Sequence, residues 1–89
     1  MEVICINDVF TAEQTAIIPN RPEEGKIYTI RDIFRVPNGR IAVLLHEIHN
    51  PLRTHPSGLG MYEPSFDSKR FTTLLNQPVE IQETIEELV

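Results

Sequence analysis

Apolar positions in this chain fall in short runs separated by turn-forming residues, the pattern of a small β-rich domain. Glu2 to Asn7 is a compact β-branched run that predicts a first strand, and Asn7-Asp8 ends it. Thr11 and Gln14 have the spacing of a capping box, in which each side chain satisfies the other's backbone amide. A short helix is therefore expected after strand 1, and Pro19 stops it. Asn20 to Gly25 is a turn-rich connector.

Lys26 to Val36 is the longest strand pattern. It alternates at Tyr28 and Ile30 and then slips, because Asp32 falls where the next inward residue belongs and Ile33 takes over. The slip predicts a β-bulge near Arg31-Asp32. Asn38-Gly39 between two apolar runs predicts a type I′ hairpin turn, with Arg40 to His49 returning antiparallel to the first run. Ile41 to Leu45 is apolar on both faces, so it needs cover on both. The Thr11 to Ile18 helix, the C-terminal segment or another protein would supply the outer cover.

Asn50 to Gly60 carries two prolines and two glycines without a period and predicts a long loop of the kind that often bears function. Met61 to Phe66 is a short fourth strand limited by Pro64; Asp67 to Arg70 is one helical turn; Phe71 to Leu74 is the fifth strand. From Pro78 the period becomes helical, with Ile81, Ile85 and Leu88 at i, i+4 and i+7. Glu86-Glu87 oppose the dipole at the end of so short a helix, which is ordered only where its apolar stripe docks.

The element order predicts a mainly β fold: a small five-stranded SH3-like barrel over residues 1–75 with a short helix after strand 1, then a C-terminal amphipathic helix over 76–89. An OB-fold would place a helix between its third and fourth strands, where this chain has the Pro/Gly loop. The expected core is Ile4, Ile6, Tyr28, Ile30, Ile33, Leu44, Ile48, Phe66 and Phe71, with Cys5 as a small hydrophobe between Ile4 and Ile6.

Three stretches carry a resemblance: Gly25-Lys26-Ile27-Tyr28-Thr29-Ile30-Arg31-Asp32-Ile33, then Leu44-Leu45-His46-Glu47-Ile48-His49-Asn50-Pro51, then Glu63-Pro64-Ser65-Phe66 with Lys69-Arg70-Phe71. Over residues 1–75 this resembles a group of small uncharacterised bacterial and phage-associated proteins. The resemblance implies an SH3-like barrel; it implies no activity and carries no functional residues across.

At 89 residues the chain has material for one domain, which leaves little room for a catalytic pocket beside a core. The net charge is −5, but Glu80, Glu83, Glu86 and Glu87 account for −4 of it, leaving −1 for residues 1–75. The electrostatic footprint of a duplex binder is missing from the body. One cysteine excludes an intrachain disulfide and points to a reducing, cytoplasmic setting. No basic leader or long apolar stretch suggests secretion or a membrane span, since the longest aliphatic run is Ile41 to Leu45.

Candidate chemistry is sparse. His46 and His49 are three apart on an expected strand, the wrong spacing for a helical zinc motif, which leaves Glu47, His49 and His55 as the remaining metal set to weigh. Ser57, Ser65 and Ser68 lack the context of a nucleophile, and Gly58-Leu59-Gly60 lacks that of a phosphate loop. Arg31, Arg35, Arg40, Lys69 and Arg70 would form a basic patch if neighbours, with Tyr28, Phe34 or Tyr62 to stack bases. Tyr62, Phe66 and Phe71 would line a peptide groove, although Phe66 and Phe71 read first as core. The expectation is a non-enzymatic protein-interaction module without cofactor or metal, acting on an unidentified protein partner or as a homodimer. Nucleic-acid binding is the competing reading and a metal-dependent enzyme the third. The candidate surface is Tyr62, His55 and Leu59 with Ile81, Ile85 and Leu88 of the tail.

Overall fold

The computed structural model describes residues 1–54, 58 and 60–80. Its elements are β1 (Glu2–Cys5), α1 (Ala12–Ile17), β2 (Ile27–Arg35), β3 (Ile41–Leu45), β4 (Arg53–Thr54), β5 (Met61–Tyr62), β6 (Phe66–Asp67), a 3-10 turn (Ser68–Arg70) and β7 (Phe71–Thr73). Five strands form an antiparallel sheet in the order β6-β3-β2-β1-β7, and β4 and β5 form a separate two-stranded ribbon. The sheet is open rather than a closed barrel: β6 and β7 are its two edges, and among the described residues no ladder joins them. The 3-10 turn lies between them in sequence and uses its own backbone bonds, with Phe71 N–H donating to the Ser68 carbonyl.

α1 begins as the capping box requires. Gln14 N–H donates to Thr11 Oγ1 at 3.1 Å, and Thr11 N–H donates to Gln14 Oε1 at 2.8 Å. The bulge in β2 is present between Ile30 and Asp32. The hairpin turn differs from the expected type I′, since Asn38 does not have positive φ whereas Gly39 has φ 84°. Gly39 N–H donates to the Val36 carbonyl and Val36 N–H to the Arg40 carbonyl, so the loop is three residues: a type I turn followed by a left-handed glycine. Pro37 explains the difference. A two-residue loop would make Pro37 a paired flank, and proline has no N–H to give.

The core comprises Val3, Cys5, Tyr28, Val43, Leu45, Ile48, Phe66, Phe71 and Val79, with Phe10, Ile18, Ile30 and Ile33 packed against it. Phe71 meets both Tyr28 and Phe66 edge-on, at centroid distances of 6.5 Å each. Two strands have the phase opposite to expectation. In β1, Val3 and Cys5 face inward while Ile4 is half-buried and Ile6 is 50% exposed. The run is apolar at both parities, and pairing decides it: Val3 opposes Tyr28, and Cys5 opposes Phe71, whose rings already hold the interior. In β3, Val43 and Leu45 are fully buried, whereas Leu44 opposes Asp32 on the outer face and is half-buried.

Several elements are shorter than expected for identifiable reasons. β3 ends at Leu45 and not His49, because the Glu47 carboxylate turns back to accept Thr29 N–H at 2.8 and 3.1 Å, taking the place of a ladder bond. Pro64 splits the expected Met61 to Phe66 strand into β5 and β6. Residues 78–80 are not helical. A reverse turn with Asn76 at φ 60° folds the chain back along β7, where Pro78 bridges to Thr72 and Val79 enters the core. The rest of the expected helix, with Ile81, Ile85 and Leu88, lies outside the described residues. No helix among the described residues is long and apolar enough to cross a membrane.

Candidate interaction surface

The bulge builds the site. β2 uses two residues where β3 uses one, and Arg31, the extra residue, leaves the ladder. The β3–β6 register, carried on from Val43↔Phe66, brings Pro64 opposite Leu45. Pro64 cannot donate, and Arg31 Nε donates to the Leu45 carbonyl instead, at 2.7 Å. The same guanidinium reaches Glu63 through Nη2, at 2.6 and 2.7 Å to the two carboxylate oxygens.

From Glu63 the bonding continues through two loops. Asn50 N–H donates to Glu63 Oε2 at 3.1 Å. The Asn50 side-chain amide, which is buried, accepts from Asn20 N–H at 2.8 Å and donates to the Asn20 carbonyl at 2.9 Å. Asn20 Nδ2 then donates to the His49 carbonyl at 2.8 Å. Burial pushes the Glu63 carboxyl up, but the Arg31 hydrogen bonds, the Asn50 N–H and the charges of Arg31 and His49 outweigh it and hold the group below its ordinary range.

This network anchors the β4–β5 ribbon, which a two-stranded element needs because it is marginal alone. Arg53 pairs with Tyr62 and Thr54 with Met61, so alternation puts Leu52 and Met61 on the same side of the ribbon. Leu52 is 59% and Met61 63% exposed, and Tyr62 is also exposed. Beside the ribbon lies a cleft of about 460 Å³ between Phe34 and Pro37 of the hairpin and Tyr62, Glu63 and Ser65. Phe34 shares the outer face with Ala42 and Leu44, so the Tyr62–Ser65 stretch lies beside the second apolar face of β3.

Of the sequence-derived candidates, Tyr62 stands at this cleft. His55, Leu59, Ile81, Ile85 and Leu88 lie outside the described residues. Phe66 and Phe71 are core and do not line this cleft. Phe34 was named from sequence only as a base-stacking aromatic, and Leu52 and Met61 were not singled out; the available signal was that both are large apolar residues flanking a Pro/Gly stretch. Among the candidate basic residues, Arg31 is held by Glu63, Arg40 stands 3.9 Å from Asp67, and Arg70 lies 3.8 Å over the Phe10 ring while donating to the Asn7 and Val9 carbonyls. Tyr28 is buried, with its hydroxyl accepting from Glu23 N–H. Glu47 is committed to Thr29, and among the described residues no three of His, Cys, Asp and Glu gather at metal-binding distance.

Cys5 is buried, and its thiol donates to the Asn7 carbonyl at 3.6 Å. Burial pushes its pKa up, more than the Asn7 contact lowers it. A protonated, enclosed thiol is a poor nucleophile. Native protein is therefore expected to resist an aromatic disulfide reagent at pH 8 and to react with one equivalent once denatured; rapid native reaction would show that β1 does not bury this residue.

No protein-family model, curated protein or solved structure matches the chain. The reading of this surface therefore rests on its geometry.

Proposed function

We propose that this domain is a non-enzymatic protein-interaction module on an SH3-like framework, related to the small bacterial and phage-associated proteins it resembles and acting in the cytoplasm. Supporting the framework is the sequential strand pairing, β1 with β2, β2 with β3, β3 with β6 and β7 with β1, with a 3-10 turn before the last strand. The lone buried thiol suits a reducing compartment. One observation carries the functional reading: a ribbon held on a fixed polar base exposes Leu52 and Met61 on one side, while Tyr62 on its other side lines an aromatic cleft. Apolar side chains presented in this way gain free energy only when something covers them.

The test is co-purification from native lysate, read by mass spectrometry, for the wild-type chain and for Leu52→Asp/Met61→Asp. Both positions are exposed, so the variant should melt with the wild type. A protein recovered stoichiometrically with the wild type and lost with the variant supports the reading. Recovery equal in both, salt-sensitive binding of RNA or DNA, or a stoichiometric bound metal would replace it.

A further inference from the structure

β1 and β7, at the far end of the strand order from β6, present a second apolar surface. The two-residue period that turns Val3 and Cys5 inward turns Glu2, Ile4 and Ile6 outward. Ile4 opposes Ile27 on β2 and Thr72 on β7, and Glu2 opposes Thr29, so these residues share the outer face. Leu74 lies in the turn that follows β7. Ile27 is 54% and Leu74 49% exposed, with Ile6 similar.

Among the described residues, charge on this β1 face stands at its two ends. Glu2 marks one end. Lys69 marks the other, where it lines a shallow, mostly apolar groove with Ile6, Phe71, Thr72 and Pro78. Neither Glu2 nor Lys69 is in an ion pair among the described residues.

We propose that this face is the contact between two copies of the chain, packed sheet to sheet with their β1 strands antiparallel. Glu2 and Ile6 are four residues apart, about 13 Å along a strand. A two-fold axis near Ile4 therefore sets Glu2 of each copy against the Ile6 and Lys69 end of the other. The reversed arrangement forms two Glu2–Lys69 pairs, whereas a parallel one would face Glu2 with Glu2. Ile4, Ile6 and Ile27 supply the apolar contact, and the terminal charges select its direction. The surface is separate from the ribbon and does not depend on the function proposed for it.

Sedimentation equilibrium of the full chain from about 1 μM to about 1 mM tests this, with a dissociation constant of roughly 10 μM expected for so small an apolar contact. Ile27→Lys, at an exposed position and checked for an unchanged melt, should weaken the dimer at least ~10-fold, a single unfavourable residue at a desolvated contact being enough. Glu2→Lys and Lys69→Glu should each weaken it severalfold, and the two together should restore it. Amide resonances of Ile4, Ile6, Ile27 and Thr72 should shift with concentration. A monomer throughout, including one whose face is covered by another part of its own chain, overturns the proposal. So does a dimer indifferent to Ile27→Lys, or a double charge exchange no stronger than the single ones.

Discussion

Replacing Leu45 by alanine is expected to remove about 2–5 kcal/mol of stability, the range for emptying a fully enclosed aliphatic site. Leu45 has no exposed surface and sits in the cluster with Val3, Val43 and Phe66, so the lost methyl groups leave a cavity the sheet cannot easily close. For a domain of this size, even the lower figure lowers the melting temperature by roughly 10 °C. Leu44→Ala is the internal control. Its side chain is half-buried on the outer face opposite Asp32, and its loss should be a fraction of that at Leu45. Urea unfolding followed by tryptophan-independent circular dichroism measures both, with the m-value required to stay constant. A larger loss at Leu44 than at Leu45 would mean that β3 is packed in the opposite phase.

The second large effect is at Glu63. Glu63→Ala removes the acceptor for Arg31 Nη2 and for Asn50 N–H at once, and hydrogen bonds to a charged group contribute about 1.5–3 kcal/mol. Hydrogen exchange should then quicken at Asn50 and along β5, because the ribbon loses its base. Arg31→Lys should not substitute, since one ammonium lacks the planar fork that serves the Leu45 carbonyl and Glu63 together. The pair also makes stability depend on pH. The native Glu63 carboxyl lies below its ordinary value of 4.5, so the unfolded chain takes up the proton first. Its contribution is fully present above pH 4.5 and declines as the pH falls through the lower native value. Glu63→Gln should flatten the acid limb of the stability curve there; an unchanged limb would show that other carboxylates carry it.

Much of the local structure was legible because it depends on neighbours in sequence. The capping box at Thr11 and Gln14, the bulge beside Arg31 and the hairpin between β2 and β3 each follow from a few adjacent residues. Phase was not legible where both faces were apolar. Val3-Ile4-Cys5-Ile6 offers two equally apolar alternations, and only the long-range pairing of β1 with Tyr28 and Phe71 selects between them. The site was legible in its aromatics, Tyr62 and Phe34, and not in what holds it. Its base depends on Arg31 meeting a carbonyl across from Pro64, and on Asn20 meeting Asn50, contacts that no local pattern announces. Residues 78–80 have a helical signature in sequence, yet Val79 gains more by entering the core beside β7.

The pairing of β1 with both β2 and β7 has a consequence for how the chain is made. Cys5 opposes Phe71, so β1 is flanked on one side by a strand synthesised much later. At about 5–20 residues per second, the ribosome needs roughly 3–13 s to extend the chain from one to the other. Until then β1 has β2 alone, and the inward surface of Val3 and Cys5 lacks the Phe71 ring that covers it. Such closure between distant segments also slows folding, because loop entropy is lost before the contacts form. The nascent domain is thus most exposed to aggregation before β7 has emerged, and β1 is the strand left waiting.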